Sequence, residues 1–160
     1  MSAERELERE DRVARAILDS AICVHKALGP GLLESAYEEC LSYELRSRGL
    51  AAQRQVSCPI TYREVRLEAG FRMDVVVDGV VLIELNSVER LLPVHEAQVL
   101  TYLRLSGLRL GMLLNFNVRL YARRGETLCA LTSLASFVCF VSFVSNKELS
   151  PSPLASQNGR

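Results

Sequence analysis

The stretch "FRMDVVVDGVVLIELN", residues 71–86, consists of two short apolar runs joined at Asp78-Gly79. An Asp-Gly dipeptide between two such runs is a strong local signal for a β-hairpin. The hairpin nevertheless contains Asp74 and Glu84, one acid in each predicted strand. Because an unpaired acid on a buried strand is costly, these two residues indicate a functional site.

The number of residues in the hairpin loop decides whether the two acids meet. A two-residue loop, Asp78 and Gly79, pairs Asp74 with Ile83 and places the two acids on opposite faces of the sheet. A three-residue loop, or a bulge at Gly79, places them on one face, about 5–8 Å apart. Two carboxylates at that separation repel unless a cation lies between them, as in a magnesium site. The sequence leaves both loop lengths open.

The elements around the hairpin follow from hydrophobic periodicity and from the positions of Gly and Pro. The pattern predicts helices over 7–28, 32–48 and 93–105, one or two strands over 53–68, and a buried strand over 108–117. The resulting order, α-α-β-β-β-α-β, is that of an α/β protein.

The composition is typical of one folded domain without strong charge. The chain has 160 residues, 49% of them hydrophobic, with 19 basic and 19 acidic side chains. It is therefore long enough for a core of ordinary size, and it is not polycationic. The five cysteines are odd in number and widely spaced, the N-terminus has no apolar leader, and we expect buried thiols in a cytoplasmic protein.

Residues 128–160 differ from the rest of the chain. No charge occurs between Leu128 and Ser145, where "SFVCFVSFV" repeats a small residue followed by Phe-Val. The many Ser and Thr residues make this segment only weakly apolar, so membrane association is not expected. The predicted folded domain is 1–127, and 128–160 is predicted to be a low-complexity tail.

Several motifs in this order resemble a known superfamily. Asp74 followed by Glu84-x-Asn86 resembles the signature of the PD-(D/E)XK nuclease superfamily, in which the last position is usually Lys. "GLLESAY", residues 31–37, matches the G-x-x-E-x-x-Y element that names the GxxExxY family, and residues 91–118 look like the second half of that family. The resemblance covers about residues 10–120.

The resemblance implies an α/β fold with a PD-(D/E)XK restriction-endonuclease-like core, a mixed central sheet flanked by helices, in the domain 1–127. It implies hydrolysis of phosphodiester bonds in DNA or RNA with Mg²⁺ or Mn²⁺ as cofactor. The implied metal ligands are Glu34, Asp74, Glu84 and the carbonyl of Leu85. The implied catalytic residues are Asp74, Glu84, Asn86, Gln98 and Tyr102.

Most of these residues also have a structural interpretation. Glu34 stands where the dipole of a helix N-terminus favours any acid, and Tyr37 and Tyr102 suit core aromatics with a hydrogen-bonded hydroxyl. His25 and His95 have no partner at zinc-ligand spacing, which favours structural hydrogen bonding.

The sequence is compatible with two functions. The first is an active nuclease in which Asn86 is tolerated or a cation such as Arg90 replaces the missing lysine. A lysine would both orient the attacking water and offset charge in the transition state, whereas Asn86 can only do the former. The second is a nuclease fold without catalysis that binds nucleic acid or a protein partner, including a second copy of the chain.

Overall fold

The computed structural model describes residues 3–68, 71–118 and 142–145, and this part of the chain contains three helices and seven strands. In chain order they are α1 (Ala3–Leu28), α2 (Glu34–Ser47), β1 (Ala52–Ser57), β2 (Ile60–Tyr62), β3 (Val65–Leu67), β4 (Arg72–Val77), β5 (Val81–Asn86), α3 (Pro93–Ser106), β6 (Leu110–Asn115) and β7 (Ser142–Ser145). All three predicted helices are present. The segment 53–68 contains parts of three short strands rather than one or two, because the chain leaves the sheet after Ser57.

The central sheet is mixed and has the strand order β1-β4-β5-β6-β7. Strands β5 and β6 are parallel, and the other neighbouring pairs are antiparallel. A parallel pair needs a long crossover connection, and α3 supplies it. Strands β2 and β3 form a separate two-stranded hairpin. The expectation of an α/β fold with a mixed sheet between helices is confirmed.

Two hydrophobic clusters lie on the two faces of the sheet. Helices α1 and α2 pack on one face, where the sheet contributes buried residues including Val75, Val77, Val81, Ile83 and Met112. Helix α3 packs on the other face, where the cluster includes Val76, Leu82, Val99, Leu103 and Leu113. Because side chains alternate along a strand, Asp74 and Glu84 have the parity of the residues that face α3.

A glycine on β6 allows α3 to lie close to the sheet. A Cβ atom added at Gly111 would stand 2.5 Å from Val99 Cγ1 and 3.3 Å from Leu103 Cδ1. Such distances are shorter than van der Waals contact, so any larger residue would push α3 away from β6. The position of α3 matters because this helix carries Gln98 and Tyr102.

The loop between α1 and α2 is fixed by Tyr37, which is fully buried. Its hydroxyl donates to the carbonyl of Gly29 at 2.5 Å and accepts the N–H of Leu32 at 3.2 Å. Its ring stacks on Phe116, with centroids 4.4 Å apart. The interpretation of Tyr37 as a core aromatic with a bonded hydroxyl is confirmed.

The predicted tail contributes one described element. Strand β7 pairs antiparallel with β6, with Leu110 opposite Ser145 and Leu113 opposite Ser142. The remainder of 119–160 lies outside the described residues, so the domain boundary after residue 127 stays a prediction. None of the described helices combines the length and the hydrophobicity that a membrane span requires.

Candidate active site

The loop of the β4–β5 hairpin has three residues, Asp78 to Val80. Val77 pairs with Val81, Val76 with Leu82 and Val75 with Ile83. The next pair in this register is Asp74 and Glu84, so the two acids lie on one face of the sheet and the two-residue alternative is wrong. Both Asp78 (φ 51°) and Gly79 (φ 68°) adopt the left-handed conformation, which glycine tolerates without a steric penalty and aspartate better than most residues.

Hydrogen bonds tie each of the two acids to the opposite strand. Glu84 Oε1 accepts the backbone N–H of Asp74 at 3.3 Å, and Asp74 Oδ2 accepts the backbone N–H of Leu85 at 2.9 Å. These contacts hold both carboxyl groups at the end of the hairpin where the strand pairing stops. Each keeps acceptor capacity for a further ligand, because a carboxylate has about four lone-pair sites.

The surroundings of this pair disfavour two negative charges. Glu84 is only 5% exposed, and its burial, followed by the charge of Asp74, raises its pKa to about 8. Burial also raises the pKa of Asp74, although the hydrogen bond from Leu85 opposes that shift. No ion pair within the described residues involves either acid. The two carboxylates are therefore stable together only if a proton or an external cation neutralises them.

Helix α3 brings the predicted Gln98 and Tyr102 to the same place. Gln98 Nε2 donates to Glu84 Oε2 at 3.2 Å and to the Tyr102 hydroxyl at 3.2 Å. Tyr102 is buried, and burial raises the pKa of its phenol. These two side chains are one helical turn apart, so together they connect α3 with the acid on β5.

Glu34 has a structural contact at the edge of the site. It is exposed at the first position of α2, and its Oε1 accepts the backbone N–H of Ser87 at 2.9 Å. The Ser87 hydroxyl in turn donates to the carbonyl of Leu32 at 2.7 Å. Glu34 therefore joins the start of α2 to the chain that leaves β5, and its role as a metal ligand stays a prediction. Its charge is the weakest of the causes that raise the pKa of Asp74.

Glu38 and Gln55 also belong to the site, although the sequence did not single them out. Glu38 is 5% exposed and accepts hydrogen bonds from Arg54 Nε at 2.8 Å and from Gln55 Nε2 at 2.9 Å. Gln55 Nε2 lies 3.5 Å from Asp74 Oδ1. Glu38 could have been identified from its spacing, because it lies one turn after Glu34 on a predicted helix. Nothing in the local sequence distinguishes Gln55.

Leu85 and Asn86 end β5 next to the acids. The carbonyl of Asn86 accepts the N–H of Phe116, beyond β6, at 2.8 Å. Because the backbone groups of successive strand residues face opposite neighbours, the carbonyl of Leu85 faces β4, on the side where its own N–H meets Asp74. The Asn86 side chain is half-buried and neutral, so the position of the usual lysine carries no cation.

The two histidines lie elsewhere and have structural surroundings. His95 Nδ1 accepts the N–H of Leu92 at 3.0 Å, which caps the start of α3. His25 is buried, with its ring 5.8 Å from that of Phe116. Neither of its ring nitrogens has a hydrogen-bond partner within the described residues, so the expectation of structural hydrogen bonding is wrong for His25. Arg90, the alternative cation, is exposed in the loop after β5.

The donors at the site fit a hard divalent cation with an incomplete set of protein ligands. Within 3–68 and 71–118, no three His, Cys, Asp or Glu side chains form a group that would enclose a metal by themselves. Magnesium does not require such a group, because it is commonly bound by one or two carboxylates and completes its shell with water and substrate phosphate. Asp74, Glu84 and the Leu85 carbonyl supply oxygen donors of that kind.

Comparison with protein families gives one match, and comparison with curated proteins and with solved structures gives none. The match is to a family model of the PD-(D/E)XK nuclease superfamily and spans residues 11–125, which is most of the chain. It includes the hairpin with both acids and all of α3. On the match, and in agreement with the mixed sheet between helices, the chain belongs to the PD-(D/E)XK nuclease superfamily.

Proposed function

We propose that this protein is a magnesium-dependent nuclease of the GxxExxY branch that hydrolyses phosphodiester bonds in DNA or RNA, with Mn²⁺ as an alternative ion. The observation that carries the proposal is the pair of buried Glu84 and half-buried Asp74, neither of which forms an ion pair within the described residues. Metal-assisted hydrolysis of phosphodiester bonds is supported by two observations: the chain belongs to a nuclease superfamily, and its carboxylate pair needs a cation. We infer a cytoplasmic location because Cys23, Cys40 and Cys58 are free thiols. Of these three, Cys58 is buried, whereas Cys23 is exposed and the expectation of a buried thiol is wrong for it.

The residues of the site have separate roles in this proposal. Asp74, Glu84 and the Leu85 carbonyl hold the ion, and Gln98 fixes the orientation of Glu84 through the bond to its Oε2. When bound, Mg²⁺ supplies polarisation of the scissile phosphate and easier deprotonation of the attacking water. Asn86 orients that water through its amide, and Tyr102 holds Gln98 in place. Glu34 supports the site from α2 by fixing the chain after β5.

A second candidate function is a nuclease-fold module that binds nucleic acid or a protein partner without cutting. Asn86 favours this candidate, because a neutral amide cannot stabilise the charge that develops on the phosphate. Both candidates use the same fold. They differ in whether a bound nucleic acid is cleaved, and a metal ion at the carboxylate pair is required for the first candidate and unnecessary for the second.

Calorimetric titration with Mn²⁺, followed by cleavage assays, tests the proposal. We expect one binding site in the wild-type protein and none in Glu84→Gln, because the substitution removes a charged oxygen ligand. Glu64→Gln is the matched control, since Glu64 is exposed in the β2–β3 turn and should leave binding unchanged. Cleavage is measured with single- and double-stranded DNA and RNA. Wild-type protein that binds no Mn²⁺ would refute the nuclease proposal, and protein that binds Mn²⁺ but cuts none of the four substrates would favour the binding module.

A further inference from the structure

Gln55 has an unusual backbone conformation in the middle of β1. Its φ is +51°, in the left-handed region that side chains with a Cβ atom rarely adopt. The other two described non-glycine residues with positive φ, Arg63 and Asp78, lie in hairpin turns, where this conformation is common. The β1–β4 pairing continues on both sides of Gln55 but omits the residue itself, which would lie opposite Asp74.

The side chain of Gln55 contacts two acids of the site. Its Nε2 donates to Glu38 Oε2 at 2.9 Å and lies 3.5 Å from Asp74 Oδ1, so one amide lies between two carboxylates. Gln55 is exposed, and packing therefore does not require its bulk. A strained residue is retained only where its surroundings over-determine it, and such residues concentrate at functional sites.

Glu38 gives the amide of Gln55 a fixed anchor. It is buried in α2, and the guanidinium of Arg54 binds its other oxygen, Oε1, at 2.8 Å. Arg54 also pairs with Glu39. The ion pair with Arg54 stabilises Glu38 as a buried carboxylate that can hold Gln55, although the charge of Glu38 still contributes to raising the pKa of Asp74.

We propose that Gln55, anchored by Glu38, is a positioning residue that orients the Asp74 carboxylate for its metal ion. This inference rests on the proposed function. Partners that orient ligating carboxylates typically change metal affinity by about 10- to 100-fold when they are removed. The left-handed backbone at Gln55 is therefore maintained for the geometry of the site, at the expense of the regularity of β1.

Two substitutions distinguish the contribution of the Gln55 amide from that of the Gln55 backbone conformation. Gln55→Met keeps the length of the side chain and removes the amide, while Gln55→Gly removes the side chain and also accommodates the positive φ. We expect both variants to bind Mn²⁺ about 10-fold more weakly than wild type in calorimetry. In the metal-free state, the glycine variant should melt at a higher temperature than the methionine variant. Arg63→Gly is the matched control, because it places glycine at the same φ in a turn and should bind Mn²⁺ as wild type does.

The outcomes distinguish this inference from the proposed function. If wild-type protein and both Gln55 variants bind Mn²⁺ with equal affinity, Gln55 does not position Asp74 and the inference is wrong while the metal site remains. If the wild-type protein binds no Mn²⁺, the proposed function fails, and the positioning role fails with it. If Gln55→Gly melts below Gln55→Met, the backbone at Gln55 is not strained and the reason given for its conformation is wrong.

Discussion

The two ends of the β4–β5 hairpin both carry an aspartate, but the structure uses them in opposite ways. At the turn, Asp78 Oδ1 accepts the N–H of Ala51 at 2.8 Å, and the Asp78 carbonyl accepts a hydrogen bond from Arg9 at 3.0 Å. At the open end, half-buried Asp74 lies beside buried Glu84, and neither acid forms an ion pair within the described part of the chain. Asp78 has hydrogen-bond partners and no acidic neighbour, whereas Asp74 also accepts a hydrogen bond but shares its site with a second acid, whose charge a proton or a cation must offset.

The difference separates structural from functional acids by their surroundings. An acid that accepts hydrogen bonds and has no acidic neighbour stabilises the fold, whereas two adjacent acids, one of them buried, destabilise it unless a cation or a proton is shared between them. The open end should therefore be the part of the hairpin where stability and function conflict.

The largest expected effect is on the pH dependence of stability in metal-free protein. Glu84 has a pKa of about 8 in the folded state, above the usual 4.5. A raised acid pKa means that the unfolded chain releases its proton first, so stability falls as pH rises from about 4.5 to about 8, by up to about 1.4 kcal/mol per pH unit. Below this window Glu84 is protonated in both states and causes no loss.

Urea denaturation at pH 5 and pH 8 in the presence of a chelator measures this effect. Glu84→Gln provides the comparison, because its amide does not ionise and the variant should lose much less stability between the two pH values. The pH dependence of stability that remains in Glu84→Gln arises from Asp74 and from the other titrating groups. Parallel pH dependences for the two proteins would mean that Glu84 ionises as an ordinary surface acid.

The second prediction concerns the missing lysine. Asn86→Lys should increase metal-dependent cleavage by about 10²-fold or more, which is the usual scale for one charged transition-state contact. The new ammonium group has Asp74 and Glu84 as neighbours, so the substitution should cost little stability. Cleavage rates of wild type and variant on the same substrate give the comparison.

Glu84→Gln in the Asn86→Lys background is the control, and it should abolish the gain. Asn86→Lys protein that binds Mn²⁺ but cuts neither DNA nor RNA would show that other parts of the catalytic apparatus are also missing. Efficient cleavage by the wild-type protein would instead make Asn86 a functional variant of the usual lysine.

The smallest expected effect is at the turn. Asp78→Ala removes the acceptor for the Ala51 N–H and places alanine at a φ of +51°, so we expect a loss of about 1–2 kcal/mol of stability. Asp78→Asn keeps an acceptor and tolerates the conformation, and it should lose less. Mn²⁺ affinity should be unchanged in both variants. A marked loss of affinity would mean that the two ends of the hairpin are coupled.

Much of the fold could be predicted from the sequence, because the helices and the hairpin are determined by local patterns. Apolar residues at helical spacing identified α1, α2 and α3, and Asp78-Gly79 identified the hairpin. The length of its loop was not predictable, since Asp-Gly is compatible with two-residue and three-residue loops. The third loop residue, Val80, decides whether the two acids lie on the same face of the sheet. The loop length is known from the strand register, in which Val77 pairs with Val81.

The site was predictable only where its residues carry a motif. Asp74, Glu84, Gln98 and Tyr102 are brought together as the motifs indicated. Glu38 was hidden because an acid on an amphipathic helix normally faces solvent, and its burial depends on Arg54, which comes from a different element. Gln55 was hidden because its role depends on a backbone conformation that the sequence does not encode in any recognisable way.

The most direct test of the metal site is a crystal structure of the protein grown with Mn²⁺, in which anomalous scattering locates the ion. We expect one peak about 2.1 Å from a carboxylate oxygen of both Asp74 and Glu84, with the Leu85 carbonyl as a further ligand. The same crystals of Glu84→Gln should show no peak there. A wild-type crystal with no manganese at this position, and with the two carboxyl groups in direct hydrogen-bonding contact through a shared proton, would contradict the assignment of the hairpin's open end as a metal site.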